Sequence, residues 1–231
     1  MRRFRWKRRR AALALLPAAA TMVTMGLAAA ASGTSPAPVM GGPGTDSAVT
    51  AGPVATDLKL RASRHVRVGK PVAIRGRVSP GGARRVVIKA GRAKLRTVRS
   101  DRDGRFSVRW RPRRAGVYRL TAVVGGSGSA RQASSRPARV HVYRSAAASY
   151  YGPGLYGGSL ACGGTLRPGT AGVANRSLPC GARLTLRYGR RSVRVQVIDR
   201  GPFAGNREFD LTAATRAKLG FPSTGTVLST R

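Results

Sequence analysis

The sequence predicts an all-β protein in two folded parts behind an export segment, and three observations carry that reading. From Asp57 to Arg144 apolar residues recur at every second position between Gly-, Pro- and Asp-rich turns. From Ser149 to the C-terminus come two more alternating strands, a tight turn and one short helical pattern. Third, 42% hydrophobic and 22% charged residues over 231 positions suit folded domains rather than a disordered chain.

Met1 to Arg10 carries seven basic side chains, and Ala11 to Ala31 is uncharged, rich in Ala and Leu, and ends in small residues. Residues 1–31 thus read as a secretory signal peptide. An uncleaved membrane anchor is the alternative, because the uncharged run reaches spanning length. Residues 32–56, mostly Ser, Gly, Thr, Ala, Pro and Val with Asp46 as the one charge, form a flexible linker. Export places the protein at the cell wall, permits a disulfide, and disfavours nucleic acid as a partner. After signal cleavage no stable membrane insertion is expected.

Residues 57–144 alternate as strands with one wet face. In Val72-Ala73-Ile74-Arg75-Gly76-Arg77-Val78, the residues Val72, Ile74 and Val78 share a side and the arginines point outward. Similar runs occur at Arg85 to Lys89, Leu95 to Arg99, Arg105 to Trp110, Val117 to Val123 and Ala138 to Tyr143, separated by turn residues such as Pro80-Gly81-Gly82 and Asp103-Gly104. Short strands at this density make an antiparallel β-sandwich. Its Asp103-Gly104-Arg105-Phe106 turn, Trp110 and Ala115-Gly116-Val117-Tyr118 resemble the immunoglobulin-like modules of secreted bacterial proteins. Trp110 and Tyr118 are in phase with apolar neighbours and belong to the core. His65 and His141 lack partners at ligand spacing, so no metal and no cofactor are expected.

Lys and Arg total 44 against 7 Asp and Glu, a formal charge of +37, and residues 57–144 alone hold 25 basic and 3 acidic side chains. Such a surface suits anionic wall polymers. Solvated strand faces in an arginine-biased composition account for the same count, and the sequence leaves both open.

A short Ser-Ala stretch, Ser145 to Ser149, separates the sandwich from a chemically more informative segment, 149–231. Its ordered blocks are Ser149-Tyr150-Tyr151-Gly152-Pro153-Gly154, Leu160-Ala161-Cys162-Gly163, Gly172-Val173-Ala174-Asn175 with Leu178-Pro179-Cys180-Gly181, then Val193 to Phe203 ending in Asp199-Arg200-Gly201-Pro202-Phe203, and Phe209-Asp210-Leu211-Thr212. This succession resembles the rare lipoprotein A (RlpA-like) family, whose fold is a double-psi β-barrel, and more distantly the barrels of expansins and family 45 endoglucanases. The residues support such a barrel physically. Leu184 to Arg187 and Ser192 to Ile198 alternate about a Tyr188-Gly189-Arg190 hairpin, and Thr212 and Gly220 are suited to cap a short helix.

The resemblance implies an endolytic peptidoglycan transglycosylase, in which an acid protonates the glycosidic oxygen and the muramic 6-hydroxyl closes an anhydro ring. Asp199, Glu208 and Asp210 are the carboxylates of this segment. Asp199 is the leading catalytic candidate, because its parity with Val193, Val195 and Val197 turns it toward the barrel mouth, where desolvation favours a general acid. The competing reading is a turn anchor bonded to backbone N–H groups. Asp210 matches the acid of the endoglucanases and is the weaker candidate, with capping of the helix as its alternative. Tyr150, Tyr151, Tyr156 and Phe203 offer flat faces for sugar rings, Asn175 a hydrogen bond and Arg200 a partner for acidic groups. Relatives with lytic activity carry an acid where this chain has Gly164 or Thr165 and a His where it has Asn175. Cys162 and Cys180, the only cysteines, flank one loop and are expected to form a disulfide.

Three functions follow: a secreted wall protein that binds or remodels peptidoglycan glycan strands, an active transglycosylase using Asp199, or a non-enzymatic adhesin or spacer held to the wall by its basic sandwich.

Overall fold

The computed structural model describes residues 52, 54–128 and 130–231. The signal segment and nearly all of the linker lie outside them. No helix among the described residues is long and apolar enough to cross a membrane.

The first part contains β1 (Asp57–Ala62), β2 (His65–Arg67), β3 (Val72–Ser79), β4 (Arg85–Ala90), β5 (Ala93–Arg99), β6 (Arg105–Trp110), β7 (Gly116–Val124), β8 (Ala133–Ser134) and β9 (Ala138–Tyr151). One sheet runs β1-β3-β6, and the opposing strands run β9-β7-β4-β5 with β2 beside β9 and β8 beside β7. Val72, Ile74, Val78 and Phe106 from the first sheet bury against Val86, Ile88, Leu120, Val124, Val140 and Val142 of the second. The inward side chains are those the period-two pattern selects, and an apolar seam between two sheets defines a sandwich. Trp110 and Tyr118 pack on this core edge to face, ring centroids 5.0 Å apart.

The second part contains β10 (Val173–Ala174), β11 (Arg183–Tyr188), β12 (Arg191–Asp199), β13 (Phe209–Thr212), α1 (Ala213–Leu219) and β14 (Gly225–Ser229). Pairings run β9–β13, β13–β10, β10–β12, β12–β11, β11–β14 and β14–β9, so six strands close on themselves. Closure leaves this barrel no free edge. Its interior holds Ala146, Ala148, Val173, Leu184, Leu186, Val195, Val197, Phe209, Leu211 and Val227. Thr212 caps α1 by accepting from the Thr215 N–H, and Gly220 closes it in a left-handed conformation. Gly172, just before β10, has no room for a Cβ beside the Ile198 side chain.

One element departs from the sequence reading. Ser145 to Ser149 is not a separator: β9 continues through it, pairing Arg144 to Ala148 with β14 and Ala148 to Tyr151 with β13. The small residues serve the pleat, Ala146 and Ala148 facing the crowded barrel core while Ser145 and Ala147 face out. The same strand carries the sandwich core residues Val140 and Val142, so a single backbone ladder joins both cores.

Where β2 runs parallel to β9, His65 lies opposite His141, and the His65 ring hydrogen-bonds the Tyr143 hydroxyl at 3.0 Å. Burial, with Arg187 and Arg64 around His65 and with His65, Arg139 and Arg194 around His141, lowers both imidazole pKa values. A depressed histidine pKa means the unfolded chain takes up the proton more readily. Stability is therefore full above the unfolded value near 6.5 and is lost as pH falls through the lowered folded values. The melting temperature should drop between pH 7.5 and pH 5, and His141→Gln should reduce that drop in thermal scans.

Candidate active site

The barrel topology brings together two carboxylates that sequence distance conceals. Ala174 of β10 pairs with Asp199 of β12 on one side and with Asp210 of β13 on the other. Asp210 in turn pairs with Ser149 of β9. Three strands, β9, β13 and β12, thus present Ser149, Tyr151, Asp210 and Asp199 at one end of the barrel, with β10 between β13 and β12.

The two acids have different surroundings. Asp199 Oδ1 accepts the Ala161 N–H at 2.9 Å and the Arg200 N–H at 2.8 Å. Asp210 Oδ1 accepts only the Ser149 hydroxyl at 2.7 Å, and Ser149 Oγ itself accepts from Arg207 Nη1 at 3.0 Å. Burial raises the Asp210 carboxyl above its ordinary value, against the opposing Ser149 hydrogen bond and Arg207 charge, and the Asp199 charge raises it further. Tyr151 stands beside this pair. Its hydroxyl is buried without a well-formed hydrogen bond among the described residues. Burial first, then the charge and hydrogen-bonding approach of Asp199, and last the charge of Asp210, push its pKa up, so it remains a proton-bearing phenol.

The remaining candidates divide sharply. Tyr156, 40% exposed, and Phe203, 79% exposed, offer open apolar faces. Phe203 lies four residues beyond Asp199, and the Tyr156 hydroxyl approaches Gly152, next to Tyr151. Tyr150 instead packs on the barrel core, its ring covered by the Arg216 guanidinium at 4.4 Å. Asn175 is 3% exposed and fully engaged: Nδ2 donates to the Glu208 carbonyl, and Oδ1 accepts from the Ser177 and Leu178 N–H groups. Arg200 donates to the carbonyls of Asn175 and Leu178 and contacts Cys180 Sγ. Through these bonds both side chains organise the 175–180 loop. Glu208 forms an ion pair with Arg144. Cys162 and Cys180 are joined, Cα atoms 5.5 Å apart. No metal-ligating cluster occurs among the described residues.

Sequence reading missed Ser149 and Arg207 as the support of Asp210, and treated Tyr151 as a stacking surface rather than a hydroxyl. The spacing of Ser149 and Tyr151, two apart on one strand face, was the available signal. Asn175→Ala should cost about 1–3 kcal/mol by leaving loop N–H groups unpaired, readable by denaturant unfolding.

Fold and site together define a small closed β-barrel with a carboxylate pair at one end. Residues 144–228 match the family model described as "Lytic transglycolase", and this part of the chain is an RlpA-like double-psi β-barrel domain. The chain is 37% identical over 121 residues to the probable endolytic peptidoglycan transglycosylase RlpA of Synechocystis sp., covering 46% of this chain and 37% of that one. It is 35% identical over 81 residues to the endolytic peptidoglycan transglycosylase RlpA of Campylobacter jejuni, covering 34% and 30%. With that of Pseudomonas aeruginosa the identity is 42% over 81 residues, covering 34% and 24%. The chain therefore spans well under half the length of these curated relatives. The solved Streptomyces papain inhibitor overlaps 38% of this chain and 90% of its own at a TM-score of 0.31 and 21% identity, too loose a likeness to bear on function.

Proposed function

We propose that this is a secreted wall protein whose barrel acts on peptidoglycan glycan strands, with Asp210 as the acid and Asp199 as its charged partner. The observation that carries the reading is the placement of the two carboxylates on either side of Ala174, one desolvated and supported by Ser149, the other held by two backbone N–H groups. Environments that separate two acids in this way are suited to acid and base work on one substrate. Protonated Asp210 gives its proton to the glycosidic oxygen as the bond to C1 breaks. The muramic 6-hydroxyl attacks C1, and its proton passes to Asp199, forming the 1,6-anhydro ring with no water consumed. The Tyr151 hydroxyl is available to bond the sugar between them, and the exposed rings of Tyr156 and Phe203 offer faces on which sugar rings can stack. The sandwich of residues 57–144, an immunoglobulin-like module in our reading, joins barrel 149–231 through β9 and adds charge attraction to anionic wall polymers.

A second reading, binding without cleavage, is favoured by one feature. On the family resemblance Asn175 stands where lytic relatives carry His, and its amide, buried here, cannot move a proton. Mass spectrometry of denuded peptidoglycan incubated with the full chain separates the two. Anhydro-muropeptides establish cleavage; retention on the wall without product leaves a binder.

A further inference from the structure

Outside the carboxylate site, a cluster of unpaired arginines lies where the sandwich meets the barrel. A cleft of about 690 Å³ is lined by Arg119 and Arg139 of the sandwich, Arg183, Arg194 and Arg231 of the barrel side, and His141. A second hollow shares Arg139 and His141 and continues to Arg61, Arg64 and His65. No aspartate or glutamate lines either hollow. Among the described residues the ion pairs are Lys59–Asp57, Arg105–Asp103 and Arg144–Glu208, so none of these cleft arginines is neutralised by a side chain. Arg119 and Arg139 are directly opposed in the β7–β9 register. Like charges so placed repel and destabilise a sheet, and an anion between them would remove that repulsion.

The lining also restricts the ligand. Guanidinium forks match phosphate oxygens in bidentate geometry. Apart from His141 and His65, the two hollows contain no aromatic side chain on which bases or sugar rings could stack. The track extends over both hollows rather than forming one closed pocket, so it suits a chain of charges. We propose that this cleft binds a linear phosphodiester polymer that carries no bases. The site is separate from the carboxylate pair and does not depend on glycan cleavage.

The test is binding of a fluorescent oligo(glycerol phosphate) to the full chain in 150 mM NaCl. The exposed, unpaired arginines permit two triple variants of equal charge loss. Arg119→Gln/Arg139→Gln/Arg194→Gln should weaken binding tenfold or more, whereas Arg99→Gln/Arg102→Gln/Arg109→Gln, exposed residues that line neither hollow, should weaken it less than threefold. Melting temperatures no lower than that of the parent chain would show that both variants fold. Equal losses in the two variants, or no binding by the parent chain, would overturn the cleft as a site. Equal or tighter binding of oligogalacturonate would overturn the preference for phosphate, and equal or tighter binding of a dT12 oligonucleotide would reassign the cleft to nucleic acid.

Discussion

Replacing Cys162 and Cys180 with serine should lower the melting temperature by roughly 6–12 °C. The two residues are 18 apart, and closing a loop of that length removes about 3 kcal/mol of unfolded-state freedom. In a folded unit of the size of residues 49–231, each kcal/mol shifts the midpoint by about 2–4 °C. The loop is long and Gly-rich, and near the two cysteines backbone bonds tie it to β12: Cys162 N–H to the Ile198 carbonyl and Gly181 N–H to that of Val197. The disulfide holds both ends of the loop at that edge. Since Ala161 donates to Asp199, loosening the loop should also disorder the carboxylate. Reductant should reproduce the loss in the parent protein and leave the serine variant unchanged. Thiols of the native protein that alkylate freely without reductant would contradict the bond.

The parts legible in the sequence are those set by local periodicity. The strands from Val72 to Tyr143 follow from alternation because one face of each is buried and the other is wet. Thr212 and Gly220 cap a helix of strong formers, which is also a local property. The barrel half of β9 escaped because Ser145-Ala146-Ala147-Ala148-Ser149 has no β-branched side chain. Its extended form comes from β13 and β14, some sixty to eighty residues away in sequence. At the site, inward parity marks Asp199, but the neighbourhood of Asp210 is a consequence of strand order, with β10 inserted between β12 and β13. Asn175 and Arg200 are chemically suited to a sugar, yet local backbone groups claim them first. Asn side chains commonly bond to N–H groups a few residues on, and Asn175 does so at Ser177 and Leu178.

Asp210→Asn should reduce anhydro-muropeptide release by about 100-fold or more while leaving the fold intact, because general acid catalysis contributes on that order. The Ser149 hydroxyl can still donate to an asparagine oxygen, so packing at β13 is preserved. Stability should move the other way. Burial raises the Asp210 carboxyl, and a raised folded pKa adds stability below the unfolded value, lost as pH rises through the folded one. Once ionised, the buried acid is a burden that Asn lacks, so the variant should show a flatter pH dependence above pH 4 and melt higher than the parent as Asp210 loses its proton. Asp199→Asn gives the complementary result. The Asp199 charge helps raise Asp210, so removing it should shift the alkaline limb of any cleavage profile to lower pH as well as slow the reaction. If Asp199→Asn abolishes product release at every pH while Asp210→Asn leaves it unchanged, the two carboxylates exchange roles and Asp199 is the acid.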